Sequence, residues 1–293
     1  LERPVPHTTG FTSVMDNIGK VANQGLDFMV NTVNIDTKDF GWSSTLNFNY
    51  NKNEIKKLGE NDEDILTGPW FISGNLVILR KGESLGSFWG YKREGIWGED
   101  EAEEAKAAGA GVGQPKRSKD REILGKGLPD VTGSFINNFR YKNFDLTVDL
   151  QFVLGVDVYQ QFLHSTEDRF GIANALSSVL SEGWTPANTN TMIPALYSQN
   201  SQPDSHWVAN GSYLRANLIQ LGYTFEPSVL KALHLGSLRA YFSVNNAFCI
   251  TSKDFKGYDP EGTSWNTDQW GQNIMFFQYP KPRTYTLGVN VSF

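Results

Sequence analysis

The chain has 293 residues, of which 39% are hydrophobic, 20% charged and 13% aromatic. This apolar content supports a sizeable core and excludes a disordered chain. The net charge of -6 excludes the basic surface that holds a nucleic-acid backbone. The single cysteine, Cys249, excludes an internal disulfide and a thiolate metal cluster. No apolar run reaches the roughly 18 residues that a membrane helix needs, but a membrane protein built from strands has no such run.

Alternation of apolar and polar residues is the strongest pattern in the sequence, and it predicts strands with one apolar and one polar face. Between Phe40 and Tyr50, the even positions are apolar apart from Ser44, and the odd positions carry small or polar residues. The same pattern occurs at 143–152 and 285–293. Weaker versions occur at 25–35, 134–141, 212–225 and 238–248.

The lengths of these segments favour a barrel that spans a membrane. They run to about 10–12 residues, whereas a typical globular strand has roughly 5–6. At about 3.3 Å per residue and a tilt near 40°, such a strand rises about 28 Å, close to the height of the apolar band of an outer-membrane barrel. Polar faces rich in Asn, Thr and Ser suit a wet lumen. A soluble antiparallel sandwich also alternates, so alternation alone leaves that fold open.

The connections between the predicted strands alternate between short and long. The short ones are 36–39, 142–143 and 226–237, and the long ones are 51–129, 155–211 and 249–282. Outer-membrane barrels have this asymmetry, with short periplasmic turns and long external loops. Within the long connections we predict a hairpin over 77–97, a short acidic helix over 99–108 and partial helix over 157–181.

No residue pattern typical of catalysis or metal binding is present. His7, His164, His206 and His234 lack the HxH or HExxH spacing of a metal site. Acidic residues lie mostly in polar runs of the kind found on solvated surface, and no GxSxG motif occurs. We therefore predict a protein that is not an enzyme, with no catalytic residue, no metal site and no cofactor.

Two polar motifs have simple structural interpretations. GYDPE (257–261) predicts a proline-fixed turn in which Asp259 caps the backbone, and ligand contact is the alternative. SYLR (212–215) places Arg215 near the start of a strand, where we predict that it pairs with acidic side chains in the lumen.

Eight strings of residues are spread over nearly the whole chain. They are NIGKVANQGLDF (17–28), FGWSSTLNFNYNKNEIKKL (40–58), KGESLGSFWGYKREGIW (81–97), LPDVTGSFINNFRYKNFDLTVDLQFVLG (128–155), GSYLRANLIQLGYTF (211–225), LRAYFSVNNAF (238–248), GYDPE (257–261) and YPKPRTYTLGVNVSF (279–293). In this order they resemble the C-terminal half of the SusC/RagA family of TonB-dependent outer-membrane transporters.

The resemblance implies an all-β fold, an antiparallel transmembrane β-barrel of about 22 strands closed around an N-terminal plug. Residues 1–293 would supply only the last eight to ten or so strands, with the long external loops at 51–129, 155–211 and 249–282 and no plug. Nothing in the sequence resembles the plug or the extension before it, so we expect the chain to be a fragment. The loop after Trp97 also lacks the family's DxNxDG stretch and reads QPKRSKDREILGKGLPD instead.

The resemblance also implies a function and a set of partners. The intact protein would import oligosaccharides or peptides across the outer membrane of a Gram-negative, Bacteroidetes-like cell. A SusD-like lipoprotein would cover it outside, and the TonB complex would supply energy through the absent N-terminal region. The barrel assembly machinery would insert it into outer-membrane lipid. No nucleic acid and no cofactor take part.

Two groups of residues are the candidate site residues. Those for contact with substrate or lipoprotein are Trp184, Trp207, Trp265, Trp270, Asp259 and Glu261, with packing between loops as the alternative for each tryptophan. Those for the barrel assembly signal are Tyr285, Leu287, Val289, Val291 and Phe293, because a terminal aromatic residue that ends an alternating strand resembles that signal.

Two other proteins fit the sequence and make different structural predictions. In a self-contained small barrel with a structural or adhesive role, 25–35 pairs with 285–293. In a soluble β-rich carbohydrate-binding or hydrolytic domain, Leu146, Val148 and Leu150 are buried under a second sheet. A fragment of a larger barrel instead has two unpaired sheet edges.

Overall fold

The computed structural model describes residues 2–4, 8, 10–11, 13–15, 19–59, 61–67, 75–168, 173–198, 202–262 and 271–293. The strands are β1 (Glu2–Pro4), β2 (Ser13–Met15), β3 (Gly19–Asp36), β4 (Phe40–Leu58), β5 (Ile65–Thr67), β6 (Val77–Leu79), β7 (Ser87–Ile96), β8 (Pro115–Lys126), β9 (Val131–Tyr141), β10 (Phe144–Leu154), β11 (Asp157–Gln160), β12 (Val208–Asn210), β13 (Tyr213–Thr224), β14 (Ser237–Asn245), β15 (Cys249–Thr251), β16 (Ile274–Met275) and β17 (Thr284–Ser292). The helices are α1 (Ala102–Ala107), α2 (Phe162–Thr166), α3 (Ser178–Ser181) and α4 (Pro227–Leu233). Among the helices in these residues, none combines the length and the apolar character needed to cross a membrane.

One large antiparallel sheet forms the wall of the molecule. Its strands follow the order β17-β14-β13-β10-β9-β4-β3, and β15 pairs with the far end of β13. Every neighbouring pair on this path is antiparallel. Tight turns join β3 to β4 and β9 to β10, as the short connections predict. The predicted antiparallel barrel wall is therefore confirmed.

The wall is open, with β3 and β17 as its two edges within the described residues. These are the strands that a self-contained small barrel would pair with each other, so that alternative is wrong for the described residues. An open sheet with two unpaired edges is what a section of a larger barrel presents. Unpaired edges leave rows of backbone donors and acceptors that have to be paired by further strands.

Register places the apolar side chains of all seven long strands on one face. Across the middle of the sheet, for example, Val148 is opposite Ile219, which is in turn opposite Val244. Large residues on this face are exposed, among them Leu26, Phe28, Phe135, Leu221, Phe242, Leu287 and Val289. Such a wide apolar surface is incompatible with water and suits lipid.

The soluble alternative requires a second sheet over this face, and the burial pattern contradicts it. Leu146, Val148 and Leu150 are all only half-buried. Among the described residues there are three other sheets. The β5-β6-β7-β8 and β12-β11-β16 sheets are formed by the long connections at one end of the wall, and the third is the short β1–β2 pair. The apolar face is therefore left uncovered along the strands.

Ser44 interrupts the alternation on the apolar face, and the structure shows how it is accommodated. Ser44 Oγ and Trp42 Nε1 both donate to Asn137 Oδ1, at 2.8 and 3.0 Å, and Asn34 Nδ2 donates to Ser44 Oγ at 2.7 Å. The Trp42 ring stacks on Phe139, with 5.8 Å between ring centroids. The polar atoms thus satisfy one another, which is the condition for placing them against lipid.

Strands β3 and β4 have 18 and 19 residues, longer than the roughly 10–12 that alternation predicts. The extra length of β4 continues beyond the wall, because Ile55 and Leu58 are buried against Leu79 of β6. These strands therefore link the wall to the folded loops above it.

The long connections fold together, and we call their described residues (59–130, 155–212 and 246–283) the external block. A four-stranded sheet, β5-β6-β7-β8, and a three-stranded sheet, β12-β11-β16, form its framework. Its core contains the largest group of fully buried side chains: Leu76, Val77, Phe88, Tyr159, Leu163, Trp207 and Ile274. The buried core of the chain thus lies in the external block, whereas the wall is one layer thick.

The predicted hairpin over 77–97 is present as β6 and β7, but β7 makes its longer pairing with β8, which the sequence pattern does not indicate. The acidic helix over 99–108 is present as a 3₁₀ turn followed by α1. The connection 226–237 contains α4, which begins with Pro227 at its first turn and ends at His234 in a left-handed conformation. Its helical character was not predicted.

From the two faces of the wall we predict that a charge is tolerated on one face and destabilising on the other. Ile219→Arg places a charge on the apolar face of the full-length protein and should cost about 2–4 kcal/mol if that face meets lipid. Gln220→Arg, one residue along on the polar face, is the matched control and should be tolerated. Heat-modifiable migration of the folded barrel on a gel measures both variants. Equal loss of folded protein for the two would contradict the assignment of the faces.

Candidate functional site

The polar face of the wall is covered by cross-strand pairs of polar side chains. The bonds are Asn53 Nδ2 to Asn23 Oδ1 (2.7 Å), Asn49 Nδ2 to Asp27 Oδ1 (2.5 Å), Thr45 Oγ1 to Asn31 Oδ1 (2.7 Å), Asn47 Nδ2 to Ser134 Oγ (2.9 Å) and Thr147 Oγ1 to Asn138 Oδ1 (3.0 Å). A recess of about 650 Å³ follows this face, lined by Asp149, Gln151 and Asn217 among other polar groups. The face is therefore hydrophilic and ordered, as a lumen wall has to be.

Charged residues near the short turns of the wall neutralise one another. Arg239 donates to both oxygens of Asp145, at 3.1 and 2.5 Å, and its guanidinium lies over the Tyr241 ring. These side chains need the space left by Gly222, where an added Cβ would lie 2.4 Å from Arg239. Gly288 likewise makes room for the Tyr241 ring. Glycine in this row thus permits long side chains to lie flat along the wall.

Arg93 of β7 is the centre of a buried ionic network in the external block. It donates to Asp204 Oδ2 at 2.7 and 2.9 Å, to Asp168 Oδ2 at 2.9 Å and to the Met192 carbonyl at 2.9 Å. Arg117 of β8, opposite Arg93 in the register, donates to Asp204 Oδ2 at 2.7 Å. Burial opposes ionisation of Asp204, but the two guanidinium groups outweigh it and lower its pKa.

Glu167 forms a second buried ionic contact, next to Asp168 in the chain. Its carboxylate lies 2.7 Å from His206 Nε2 and accepts a hydrogen bond from Lys256 Nζ at 2.5 Å. Burial alone would raise the pKa of Glu167, but His206 and Lys256 outweigh that effect and lower it to about 2. The stabilisation is therefore complete above the ordinary value of 4.5 and is lost as the pH falls towards about 2. The Lys256 contact joins two of the three long connections, 155–211 and 249–282.

Asp259 and Arg215 pair as the sequence predicts. Arg215 Nη2 donates to Asp259 Oδ1 at 2.6 Å, and both side chains are buried. Asp259 Oδ1 also accepts from the Glu261 backbone N–H at 2.9 Å, which is the predicted turn. Asp259 is therefore occupied within the protein and is not open to a ligand. Glu261 stays accessible and pairs with Lys281 at 2.5 Å.

The tryptophans predicted to contact a ligand have different positions. Trp207 is fully buried, with Tyr159 and His164 edge-on to its ring. Trp184 is 4% exposed and packs with Ile96. The prediction of ligand contact is corrected for these two, because protein side chains cover their rings and burial assigns them to packing between loops. Trp265 and Trp270 lie outside the described residues.

The residues of the predicted assembly signal form the last strand of the wall. Tyr285, Leu287, Val289 and Val291 alternate along β17 on the apolar face, and their opposite neighbours in β14 are apolar too. Phe293 follows the strand and is 97% exposed. Four of these residues lie on the edge strand and Phe293 directly follows it, and their role in assembly stays a prediction.

The ionic network was not predicted from the sequence. Arg93 lies in β7, whereas Asp168 and Asp204 lie at two distant points of the connection 155–211, and Arg93 and Asp204 are 111 positions apart. The nearest signal is that Arg93 and Arg117 lie in facing strands of one hairpin, where two like charges need anions beside them. The sequence pattern does not predict β8, so it does not show that Arg93 and Arg117 face each other.

These features define a class of protein. An open antiparallel wall with one apolar and one polar face, joined to an ordered block of long loops, is a section of a transmembrane β-barrel. The block covers one end of the wall, and the short turns lie at the other end.

Comparison with known proteins refines this class. No family model matches the chain. TonB-dependent receptor P3 of Formosa agariphila is 33% identical over 310 residues, covering 99% of this chain and 30% of that protein. TonB-dependent receptor SusC of Bacteroides thetaiotaomicron is 31% identical over 299 residues, covering 99% of this chain and 28% of that protein. A solved structure of the RagAB peptide transporter superposes with a TM-score of 0.77 at 25% identity, covering 99% of this chain and 31% of that chain.

The chain belongs to the SusC/RagA-like family of TonB-dependent receptors. It spans less than a third of the length of each of these relatives. The names of these relatives denote receptors and a transporter. The resemblance predicted from eight strings of sequence is therefore confirmed at the level of the family.

The ionic network predicts a large difference between two arginines. Arg93→Ala removes a guanidinium that is almost wholly buried and leaves Asp168 and Asp204 undercompensated, which should cost about 3–5 kcal/mol. Arg80→Ala breaks the exposed pair with Asp64 and should cost less than about 1 kcal/mol. Limited proteolysis of the loops in the full-length protein, with thermal unfolding, measures the difference. Similar protease resistance of the two variants would contradict the network's structural role.

Proposed function

We propose that the chain is part of an outer-membrane importer that takes up oligosaccharides or peptides together with a SusD-like lipoprotein. The observation that carries this proposal is the polar face of the wall, which runs from beneath the external block to the short turns. Such a face supplies a hydrophilic path along one side of a lumen. Family membership supports the same function, since its relatives include a receptor named SusC and the RagAB peptide transporter.

In this proposal the wall is the rigid part of the importer. Its side chains pair with each other, so it guides substrate without changing shape, and it needs no catalytic group. Energy comes from the TonB complex through parts of the protein outside residues 1–293. The external block meets the substrate and the lipoprotein, and Glu261 is the accessible one among the selected contact residues that the structure describes. The protein is located in the outer membrane of a Bacteroidetes-like cell.

Uptake by living cells tests this function. Cells with the full-length protein should import labelled oligosaccharides or peptides, and cells without its gene should not. Removing TonB should reduce uptake to the level of the deletion strain, because the proposed import depends on TonB energy. A deletion strain that carries the gene on a plasmid is the control. Uptake that persists without TonB would contradict the proposal.

We also propose that β17 and Phe293 form the signal by which the barrel assembly machinery recognises the protein. The exposed terminal ring and the alternating apolar residues of β17 support this role. Deleting Phe293 from the full-length protein should lower the amount of folded barrel in the outer membrane several-fold. Phe248→Ala, which also removes an exposed ring, is the matched control and should leave the amount unchanged. Unimpaired insertion after deletion of Phe293 would sink the proposal.

A further inference from the structure

A polar cleft of about 700 Å³ lies in the external block between two separate loops. One wall is formed by the β7–β8 hairpin, through Glu94, Ile96 and Lys116, together with Glu101 from the turn between those strands. The other wall is the segment 181–192. Trp184, selected from the sequence for ligand contact, lies within this segment but is buried and does not line the cleft.

The two walls are held at a fixed distance by buried contacts. Arg93, next to Glu94 in β7, donates to the carbonyl of Met192 at 2.9 Å. Behind the cleft, Ile96 packs with Trp184 and Ala195 in one hydrophobic cluster. The cleft is therefore organised before any ligand arrives, which reduces the entropy lost on binding.

The segment 181–192 has its own internal bonds. Thr185 and Asn188 exchange backbone hydrogen bonds at 2.9 and 3.2 Å. Asn188 Nδ2 donates to the carbonyls of Glu182 and Gly183, at 3.0 and 3.2 Å. These bonds leave Thr189 and Asn190 exposed at the cleft.

The charges of the cleft disfavour an anionic ligand. Lys116 is already paired with Glu101 and lies over the Trp97 ring. Glu94 also acts electrostatically on Lys116, so the lining has three carboxylates, Glu94, Glu101 and Glu182, and one ammonium group. This net negative charge repels uronate or sulfate groups, and the carboxylates accept hydrogen bonds from hydroxyl groups.

The remaining lining consists mainly of hydroxyl and amide groups. Ser181, Asn188, Thr189, Asn190 and Thr191 both donate and accept hydrogen bonds. Apolar surface is restricted to Ile96 and Met192, too little for the side chains of a hydrophobic peptide. Because Trp97 and Trp184 are buried, hydrogen bonds rather than ring stacking have to provide recognition.

We propose that this cleft binds a neutral oligosaccharide, whose many hydroxyl groups match its carboxylates, amides and hydroxyls. This inference rests on the proposed import function and narrows its substrate class. Glu182 and Asn190, which face the cleft from the rigid segment, contact the sugar. A basic peptide is the competing ligand, because it also complements Glu94 and Glu182.

Binding to the purified full-length protein tests the cleft. The probes are an array of neutral hexasaccharides of glucose, mannose, galactose and xylose, a galacturonate hexamer and a lysine-rich hexapeptide. At least one neutral hexasaccharide should bind more tightly than the other two classes. Asn190→Ala, which removes a hydrogen-bonding amide, and Glu182→Gln, which replaces a charged acceptor by a neutral one, should each weaken that binding about fivefold or more.

Matched controls keep the result specific to the cleft. Asn174→Ala removes an exposed amide in the same connection but outside the cleft, and Glu226→Gln removes one carboxylate at the opposite end of the wall. Both should bind like the unaltered protein. Tighter binding of the peptide or the galacturonate hexamer, no binding of any neutral hexasaccharide, or equal binding by all variants would overturn the inference. If TonB-dependent uptake persists alongside such a result, the importer stands and only the cleft assignment fails.

Discussion

Lipid offers no hydrogen-bond partner to a peptide group, so a chain that crosses it with strands has to pair every N–H and C=O with a neighbouring strand. This constraint accounts for the regular antiparallel wall. It also accounts for the alternation of apolar and polar residues, because paired strands present successive side chains to lipid and to water in turn. The exception at Ser44 obeys the same constraint, since its hydroxyl is bonded to Asn137 within the apolar face.

The external block follows a different rule, because water surrounds it. Its core can therefore hold charge, provided that each charge has a partner. Arg93 meets this condition with Asp168, Asp204 and a backbone carbonyl. The same arginine joins both walls of the polar cleft, so the residue that stabilises the block also helps to set the shape of the cleft. Strand β4 connects the block to the wall, because Ile55 and Leu58 near its C-terminal end pack against Leu79 of β6.

The wall was predictable from the sequence, whereas in the block only local elements were, such as the hairpin over 77–97 and the acidic helix over 99–108. Alternation at 40–50 and 285–293 depends only on neighbouring residues, so it indicated the strands, their faces and their membrane setting. Pairing within the block depends on residues far apart in sequence, and no local pattern connects Arg93 to Asp204. The tryptophans show in another way what a local sequence pattern cannot predict. Residue type indicated an exposed ring on Trp207, but its exposure depends on the fold of three loops, which buries it.

The same separation of residues makes the core of the block dependent on the wall. The largest buried cluster unites Leu76, Tyr159, Trp207 and Ile274, which belong to three connections that the wall strands hold side by side. Until those strands are paired, the loops lack their partners and their ionisable groups stay hydrated. The core of the block therefore requires the three connections to be brought together by the paired strands of the wall. A fault in the wall then appears first as a failure of loops that never touch lipid.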